Sequence, residues 1–280
     1  GGLDKKYVQV ANIDLSDYPE EEGWVPIGND SLKFTGSFNG NGYSITGLII
    51  NRSSDYVGLF GYTSGATIEN VALEDINVTG GNWTGGLVGS ARRSTITNSY
   101  ATGSVRGTGT HVGGLVGSAN NSTKISDSYA TGTVSGTGYN TGGLVGFAYG
   151  SITNSYATGA VTGGSWTGGL VGRADNSTIS NSYSTGSVSG VHRTGGLVGE
   201  AWGSITNSYA TGEVSGRIFI GGLVGRADSS TITNSYATGE VIGTEDVGGL
   251  VGRIYNSSGY YCRVKYSYAL DLGLPLIGSR

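Results

Sequence analysis

The sequence predicts an all-β fold: a right-handed parallel β-helix (β-solenoid) with about three short strands per coil and roughly eight to ten coils. Three observations predict it. The string Gly-Gly-Leu-Val-Gly recurs every 26 to 29 residues, the segments between glycines alternate in polarity, and no run of strong helix formers occurs. A fixed period of about 20 to 50 residues is typical of solenoids, propellers and arrays.

The repeat runs along most of the chain. The leucine of Gly-Gly-Leu-Val-Gly stands at Leu87, Leu115, Leu144, Leu170, Leu197, Leu223 and Leu250, with a divergent copy at Leu59. A second string, similar to Ile-Thr-Asn-Ser-Tyr-Ala-Thr-Gly, follows with its tyrosine at Tyr100, Tyr129, Tyr156, Tyr183, Tyr209 and Tyr236. One unit therefore recurs about eight times, and equivalent residues should stack on successive coils.

Alternation with period 2 assigns the strands within a coil. The nearly invariant positions are predicted to face inward: Leu87, Gly89, Ala91, Ile96, Asn98, Tyr100, Gly103, Val105 and Gly107. The variable positions are predicted to face solvent: Ser90, Thr95, Thr97, Ser104 and Arg106. Glycine contributes 54 of 280 residues, and we expect it at the corners, where it supplies positive φ. The crossover rule predicts the right-handed sense of the coil.

Three columns of stacked side chains follow from this register. Position 90 gives a solvated ladder with opposite charges on neighbouring coils: Ser90, Ser118, Phe147, Arg173, Glu200, Arg226 and Arg253. A structural asparagine ladder, inward or at a corner, comprises Asn98, Asp127, Asn154, Asn181, Asn207 and Asn234. The repeated tyrosines are predicted to form a stacked aromatic ladder.

Three segments are expected along the chain. Residues 1–50 form an N-terminal cap and the first coil or coils, with a strand near Tyr7 to Leu15 and an acidic turn over 17–22. Residues 51–254 form the repeat β-helix. Residues 255–280 form a C-terminal coil or cap, or the start of a further segment. The exposed end of a solenoid needs a cover, so the N-terminal cap is expected to be polar.

Composition excludes several functional classes. The net charge is −4 with no basic run, which disfavours nucleic acid as a partner. No apolar run reaches the length of a membrane-spanning helix. Cys262 is the single cysteine, so no internal disulfide or multi-cysteine metal site is expected. We expect no metal, no cofactor and a monomer. Because the sequence begins with glycine and contains no methionine, we also expect a larger parent chain.

The recurring strings resemble a known repeat. Gly85 to Gly89 followed by Asn98 to Gly103 is similar to the GLUG motif, and the resemblance covers roughly residues 57 to 252. It implies a secreted or surface-attached bacterial or archaeal protein, often a module of a larger adhesin-like chain or of an immunoglobulin A peptidase. It implies no shared activity, since function must be argued from a site.

Two surfaces are candidate binding sites. The first, the aromatic corner, precedes each Gly-Gly-Leu and comprises Trp83, His111, Tyr139, Trp166, His192, Arg193 and Phe219. Aromatic side chains on successive coils could stack against sugar rings, or could fold over the corner to shield the backbone.

The second surface is a hydroxyl array. Its members are Thr95, Thr97, Ser126, Ser151, Thr153, Thr178, Ser180, Ser204, Thr206, Thr231 and Thr233, with Ser99 and its equivalents as a third column. Such a lattice resembles the Thr-x-Thr faces of solenoid ice-binding proteins, although Ser and Thr are also ordinary solvent-facing strand residues.

Catalytic chemistry finds little support in the sequence. His111 and His192 lack a Ser/His/Asp or metal-ligand constellation, and the adjacent Glu213 and Glu240 are expected to face solvent. The sequence therefore predicts no catalytic residues. The predicted function is a non-catalytic extracellular module for adhesion or binding of a glycan or a surface protein, or a spacer; the alternatives are ice binding and a polysaccharide-active enzyme.

Overall fold

The computed structural model describes residues 2–18, 21–256, 261–270 and 273–279, and none of these residues is helical. Parallel strands stack into a β-solenoid of about ten turns, which confirms the predicted fold class. One isolated bridge, between Gly23 and Ile50, is antiparallel. Residues 19 and 20 of the predicted acidic turn lie outside the described residues. Nothing helical in the described part is long and apolar enough to cross a bilayer.

Three sheets run along the solenoid. The strands of sheet 1 are Lys6–Val8, Ser37–Asn39, Phe60–Ser64, Thr67–Glu69, Val88–Arg92, Thr95–Thr97, Val116–Ser126, Val145–Thr153, Val171–Ser180, Val198–Thr206, Val224–Asp228, Thr231–Thr233, Val251–Tyr255, Arg263–Lys265 and Ile277–Ser279. The strands of sheet 2 are Ile13–Asp14, Ser44–Thr46, Ile49–Asn51, Ala72–Gly80, Tyr100–Gly107, Tyr129–Ala130, Thr133–Gly136, Tyr156–Ala157, Val161–Thr162, Tyr183–Ser184, Val188–Ser189, Tyr209–Ala210, Val214–Ser215, Tyr236–Ala237, Val241–Ile242 and Tyr268–Ala269. The strands of sheet 3 are Thr84–Gly85, Val112–Gly113, Tyr139–Gly142, Ser165–Gly168, His192–Gly195, Ile218–Gly221 and Glu245–Gly248.

The three sheets divide the coil differently from the predicted strands. The first two predicted strands, near Leu87 and Ile96, both lie in sheet 1, and the third lies in sheet 2. Sheet 3 is formed just before each Gly-Gly-Leu, at the aromatic corner, which is called the variable corner below because its residues differ between coils. The chain thus passes from sheet 3 to sheet 1, then through the asparagine corner to sheet 2, and back through the variable corner.

The core is built from the repeat itself. Each complete coil contributes the same apolar columns, all less than about a tenth exposed. On the third repeat unit these residues are Leu87, Val88, Ala91, Ile96, Ala101 and Val105. The inter-coil register is constant, as in the pairing of Val171 with Val198 and of Val198 with Val224. Burial of this periodic apolar surface is the main stabilising contribution.

The predicted inward direction is wrong at the asparagine corner. Asn98 is exposed and Tyr100 is only half-buried, whereas Ser99 and Ala101 are buried. Asn98 adopts a left-handed conformation with φ 47°. This turn reverses the inside-outside alternation, because period 2 holds only for continuously extended backbone.

Both predicted side-chain ladders are present. The Asn154 amide accepts a hydrogen bond at 3.3 Å from the Asn181 amide, whose oxygen in turn accepts one at 3.2 Å from Asn207. The ladder is at an exposed corner. Tyr100 to Tyr268 form a stack whose neighbouring ring centroids are 4.7 to 5.2 Å apart and nearly parallel.

The expected role of glycine is wrong for the Gly-Gly-Leu-Val-Gly string. Among the described residues, positive φ occurs at nine glycines and at 23 other residues, including the ladder asparagines, and none of the nine lies in this string. The string instead requires close approach. A Cβ at Gly196 would overlap the carbonyl oxygen of Gly222 and lie 2.8 Å from the Ala210 Cβ. Glycine is therefore used where neighbouring coils leave no room for a side chain.

The terminal segments continue the coil. Lys6–Val8 pairs with Ser37–Asn39, and Ile13–Asp14 pairs with Ile45 and Thr46, so the strand expected near Tyr7 to Leu15 is two short strands. At the other end, Ile277–Ser279 pairs with sheet 1. Residues 257–260, 271–272 and 280 of the expected C-terminal segment lie outside the described residues.

Candidate ligand-binding corner

The variable corner is a column of bulky residues with left-handed backbone. The left-handed residues of this column each stand directly before a residue that is paired in sheet 3 or in an isolated bridge, with φ between 52° and 64°: Tyr56, Trp83, His111, Asn140, Trp166, Arg193, Phe219 and Asp246. Tyr139, which the sequence placed in this column, lies one position earlier and pairs with Ser165, as does His192. Asn140 takes the corner position because it stands four residues before the leucine of its Gly-Gly-Leu string, like the corner residues of the other Gly-Gly-Leu coils, whereas Tyr139 stands five before it.

The backbone of this column is strained, because bulky residues adopt the left-handed conformation. Left-handed backbone is cheap for glycine and asparagine but costs about 1–2 kcal/mol for other residues. At the asparagine corner this conformation is adopted mostly by asparagine, which tolerates it at low cost. Asn140 shows that the variable corner also accepts asparagine. Tryptophan, histidine, arginine and phenylalanine at the remaining coils are therefore retained despite this cost.

The indole faces of the corner are covered by neighbouring side chains. Trp83 stacks on Tyr56 with ring centroids 4.6 Å apart and on His111 at 5.9 Å. Trp166 lies under the guanidinium groups of Arg173 and Arg193, at 5.5 and 5.1 Å from its centroid. These two indoles pack as part of the corner, so sugar stacking on their faces would require a rearrangement.

The position-90 column packs directly against the corner. The predicted vertical pairing is correct, since Arg173 pairs in register with Glu200 and Glu200 with Arg226. The expectation of a solvated ladder is wrong, because the Glu200 side chain is only 5% exposed. Corner side chains contact this column, since Arg193 lies 3.8 Å from Glu200 and His111 packs against Phe147.

Four acidic groups hold the arginines of this cluster. Glu200 lies 3.5 Å from Arg226 and 3.8 Å from Arg193. Buried Asp228 is 3.2 Å from Arg226. Two further pairs complete the cluster: Arg173 with Asp175 at 3.2 Å and Arg253 with Asp246 at 3.3 Å. The guanidinium groups are thereby fixed in position before any ligand arrives.

A groove opens between the arginines at the last coils. Its volume is about 200 Å³, and it is lined by Arg193, Phe219, Arg226, Arg253 and Tyr255. Arg253 lies over the Phe219 ring at 5.0 Å, and Arg226 lies over the Tyr255 ring at 4.7 Å. A guanidinium that stacks through its face leaves the N–H groups that are not paired with the carboxylates of the cluster for hydrogen bonds to a ligand.

His111 is a half-buried part of the same column. It packs edge-on against Phe147 at 5.3 Å, and its Nδ1 lies 2.7 Å from the Thr110 hydroxyl. Burial, and secondarily the charge of Arg173, lower the pKa of His111 from 6.5 to about 4. The imidazole is therefore neutral at physiological pH.

This burial predicts loss of stability in acid. The unfolded pKa of 6.5 exceeds the folded value of about 4, so the stabilisation is complete above pH 6.5 and is lost as pH falls from 6.5 toward 4. We expect the free energy of unfolding to fall by about 2 kcal/mol from pH 7 to pH 5 through this group. Urea unfolding at both pH values measures it.

Two variants isolate the His111 contribution. His111→Asn retains a residue suited to left-handed backbone and should reduce the pH dependence by that amount. His192→Asn, which removes the other histidine, should leave the His111 contribution in place. An unchanged pH dependence in His111→Asn would refute the assignment.

The sequence profile of the GLUG motif matches six consecutive segments: residues 80–106, 108–135, 137–162, 163–189, 190–215 and 220–242. Together these segments exceed half of the chain. The chain belongs to the GLUG-motif family. The resemblance inferred from the repeated strings is thereby confirmed.

Two relatives of this GLUG chain come from an archaeon and a bacterium. Halomucin of Haloquadratum walsbyi is 41% identical over 111 residues, which are 36% of this chain and 1% of halomucin. A protein of Evansella cellulosilytica, described as a candidate Gly-rich membrane protein, is 45% identical over 74 residues, which are 25% of this chain and 8% of the relative. The matches thus span a small part of each relative's length.

A solved structure shares the fold. A crystal structure from Bacteroides ovatus, of a protein described as a candidate immunoglobulin A1 protease, superimposes with a TM-score of 0.61. The likeness covers 96% of this chain and 79% of that chain, at 19% sequence identity. At this identity the comparison supports the β-solenoid architecture alone.

The hydroxyl array of the GLUG coils has two outward columns in place of three. Ser99 and its equivalents are buried, and the Ser99 hydroxyl donates to the Thr97 carbonyl at 2.8 Å. The two columns that remain outward on sheet 1 keep their predicted register, as in the pairing of Thr178 with Ser204. Some hydroxyls bond one another, as Thr97 and Ser126 do at 2.9 Å. Ice binding at this array stays a prediction.

The acidic pair Glu213 and Glu240, considered above for catalysis, is exposed. Glu213 and Glu240 precede the paired residues Val214 and Val241 and face solvent on adjacent coils. Within residues 2–18, 21–256, 261–270 and 273–279, no three His, Cys, Asp or Glu side chains are grouped so that they could hold a metal ion.

Proposed function

We propose that this chain is a non-catalytic extracellular module of a larger surface protein, which binds an acidic glycan at the corner groove lined by Arg193, Phe219, Arg226, Arg253 and Tyr255. The observation that carries the proposal is the strained corner column. Bulky and cationic residues occupy left-handed positions that asparagine could fill at lower cost, and such strain is concentrated at binding sites.

The chemistry of the groove favours a carboxylate or sulfate on a sugar. Three guanidinium groups converge on a volume of about 200 Å³, which is the size of one sugar residue. Arginine binds planar oxyanions through two parallel N–H bonds, while the flanking aromatic rings accept the apolar face of a sugar. Arg253 is the most accessible of the three, with 38% of its side chain exposed.

An extracellular location is supported by the family and by its relatives. The names of halomucin and of the Gly-rich membrane protein are those of surface proteins, and the GLUG segment occupies a small part of each. Within a larger protein, a rigid solenoid would hold the proposed binding corner at a fixed distance from neighbouring domains. The same architecture would let this chain act as a spacer as well as a binding module.

The proposal is tested by the binding of polygalacturonate and hyaluronate, with neutral dextran as the comparison ligand. The wild-type chain should bind the acidic polysaccharides and not dextran. Phe219→Asn and Arg253→Gln should each weaken binding by about tenfold. Isothermal titration calorimetry and a glycan array measure both effects.

The matched control is Trp83→Asn, at the same corner position but several coils from the groove. It should bind like the wild type, since Asn140 shows that asparagine fits this backbone. Equal affinity for dextran, or equal losses in Trp83→Asn and Phe219→Asn, would refute binding at the groove.

A further inference from the structure

The tyrosine ladder ends abruptly at Tyr100. From Tyr268 to Tyr100, each coil places a tyrosine over the last, with ring centroids 4.7 to 5.2 Å apart. On the next coil toward the N-terminus, the residue in register with Tyr100 is Ala72, and Ser44 follows it. One face of the Tyr100 ring is thus left without a stacking partner from this column.

The asparagine ladder beside it does not end there. The Asn98 amide donates to the Asn70 side-chain oxygen at 2.6 Å, and the Asn70 amide donates to that of Asn39 at 3.1 Å. Amide groups therefore border the position where the next ring would be. Each side-chain amide has two N–H donors and two lone pairs, so capacity remains for a ligand.

These features enclose a groove of about 430 Å³. Its lining includes Tyr100, Ala72, Asn70, Asn98 and the turn at Asn41 and Gly42. The turn lies two coils from Tyr100, about 9.6 Å along the axis, which leaves room for one ring at the stacking distance. The groove therefore has an aromatic end wall, a small floor residue and a polar side.

Two contacts hold the Tyr100 ring in place. Its hydroxyl donates to Glu74 Oε1 at 2.6 Å, and its other face is stacked on Tyr129 at 4.8 Å. A ligand that stacks on the open face would not have to order the ring first, which lowers the entropic cost of binding.

We propose that this groove binds a single neutral pyranose ring, stacked on the open face of Tyr100 and hydrogen-bonded by the flanking asparagines. A pyranose presents an apolar face and a rim of hydroxyls, and the groove offers a ring and amides in the matching places. No arginine or lysine lines it, so a neutral sugar is favoured over an acidic one. The site shares no residue with the corner groove and does not rest on the function proposed there.

The experiment mixes the 280-residue chain with methyl glucopyranoside, methyl galactopyranoside or methyl mannopyranoside. Binding is measured by saturation-transfer and titration NMR. At least one should bind saturably, with a Kd on the order of 1 mM for so small a ligand. Ala72→Tyr completes the ladder in the manner of the other coils, so it should abolish binding and raise the melting temperature. Tyr100→Leu should weaken binding about fivefold or more.

Tyr209→Leu is the matched control, because both faces of Tyr209 are already stacked, each at 4.9 Å. It should retain pyranoside binding. The proposal is overturned by absence of saturable binding to all three sugars, by binding that survives Ala72→Tyr or Tyr100→Leu, or by an equal loss in Tyr209→Leu. Binding of N-acetyltyrosine amide in place of every pyranoside would also overturn it, and would identify an aromatic side chain as the occupant. Variants of Phe219 or Arg253 should leave this binding unchanged, so the two proposals fail separately.

Discussion

Replacing Gly196 with alanine should lower the free energy of unfolding by about 3 kcal/mol or more. The added Cβ would overlap the Gly222 carbonyl oxygen of the next coil and lie 2.8 Å from the Ala210 Cβ, so the two coils would have to separate. Separation would also strain the conserved pairing register on either side. Denaturant unfolding measures the loss, and limited proteolysis should show cleavage concentrated near this coil.

Gly65→Asn is the matched control for this substitution. Gly65 has φ 67°, which asparagine tolerates, and a Cβ there would meet nothing within 4 Å. We expect its effect to stay within about 0.5 kcal/mol. If Gly196→Ala were no more destabilising than Gly65→Asn, close inter-coil approach would not be the reason for glycine in the repeat.

Removal of the Glu200 carboxylate should be nearly as costly, at about 3 kcal/mol for Glu200→Ala. Glu200 is buried between Arg193 and Arg226, and its loss leaves two largely enclosed guanidinium groups with less opposing charge. The stacked register would then place Arg173 and Arg226 on either side of an empty position. Urea unfolding at neutral pH measures the change.

Glu213→Ala, on the same coil but solvent-exposed, should change stability by less than about 0.5 kcal/mol. Glu200→Gln retains the shape and tests the charge alone, and we expect an intermediate loss. Similar stabilities for Glu200→Ala and Glu213→Ala would mean that the buried ion pairs contribute nothing net to folding.

The repeat made the architecture predictable because its period, glycine spacing and alternation all reflect one coil. The columns of Leu87, Ile96 and Val105 follow directly from that pattern, as do the stacked pairs of position 90. The direction of side chains at the corners could not be predicted in this way. Asn98 takes left-handed backbone, so the alternation restarts in the opposite phase and Ser99, not Tyr100, turns inward.

The candidate site was harder to predict than the fold. The corner residues are recognisable by their variability, and counting four residues back from the Gly-Gly-Leu leucine selects Asn140 in place of Tyr139. Burial of Glu200 depends on which way Arg193 and its neighbours extend from a left-handed position, and the sequence does not encode this locally. The sequence does contain one indication of the cluster: opposite charges alternate in the position-90 column, and aromatic residues recur in the neighbouring corner column.

The constant register between coils also bears on how such chains change length. Because Val171, Val198 and Val224 are equivalent partners, in-frame loss or duplication of one 26- to 29-residue unit leaves matching surfaces to rejoin. Each such event would alter the reach of the solenoid by about 4.8 Å. The arginine corner restricts this freedom: deleting the unit that carries Glu200 would bring Arg173 directly onto Arg226. Recombination among the units is therefore expected to be tolerated in the N-terminal coils and selected against in the coils that carry the charge ladder.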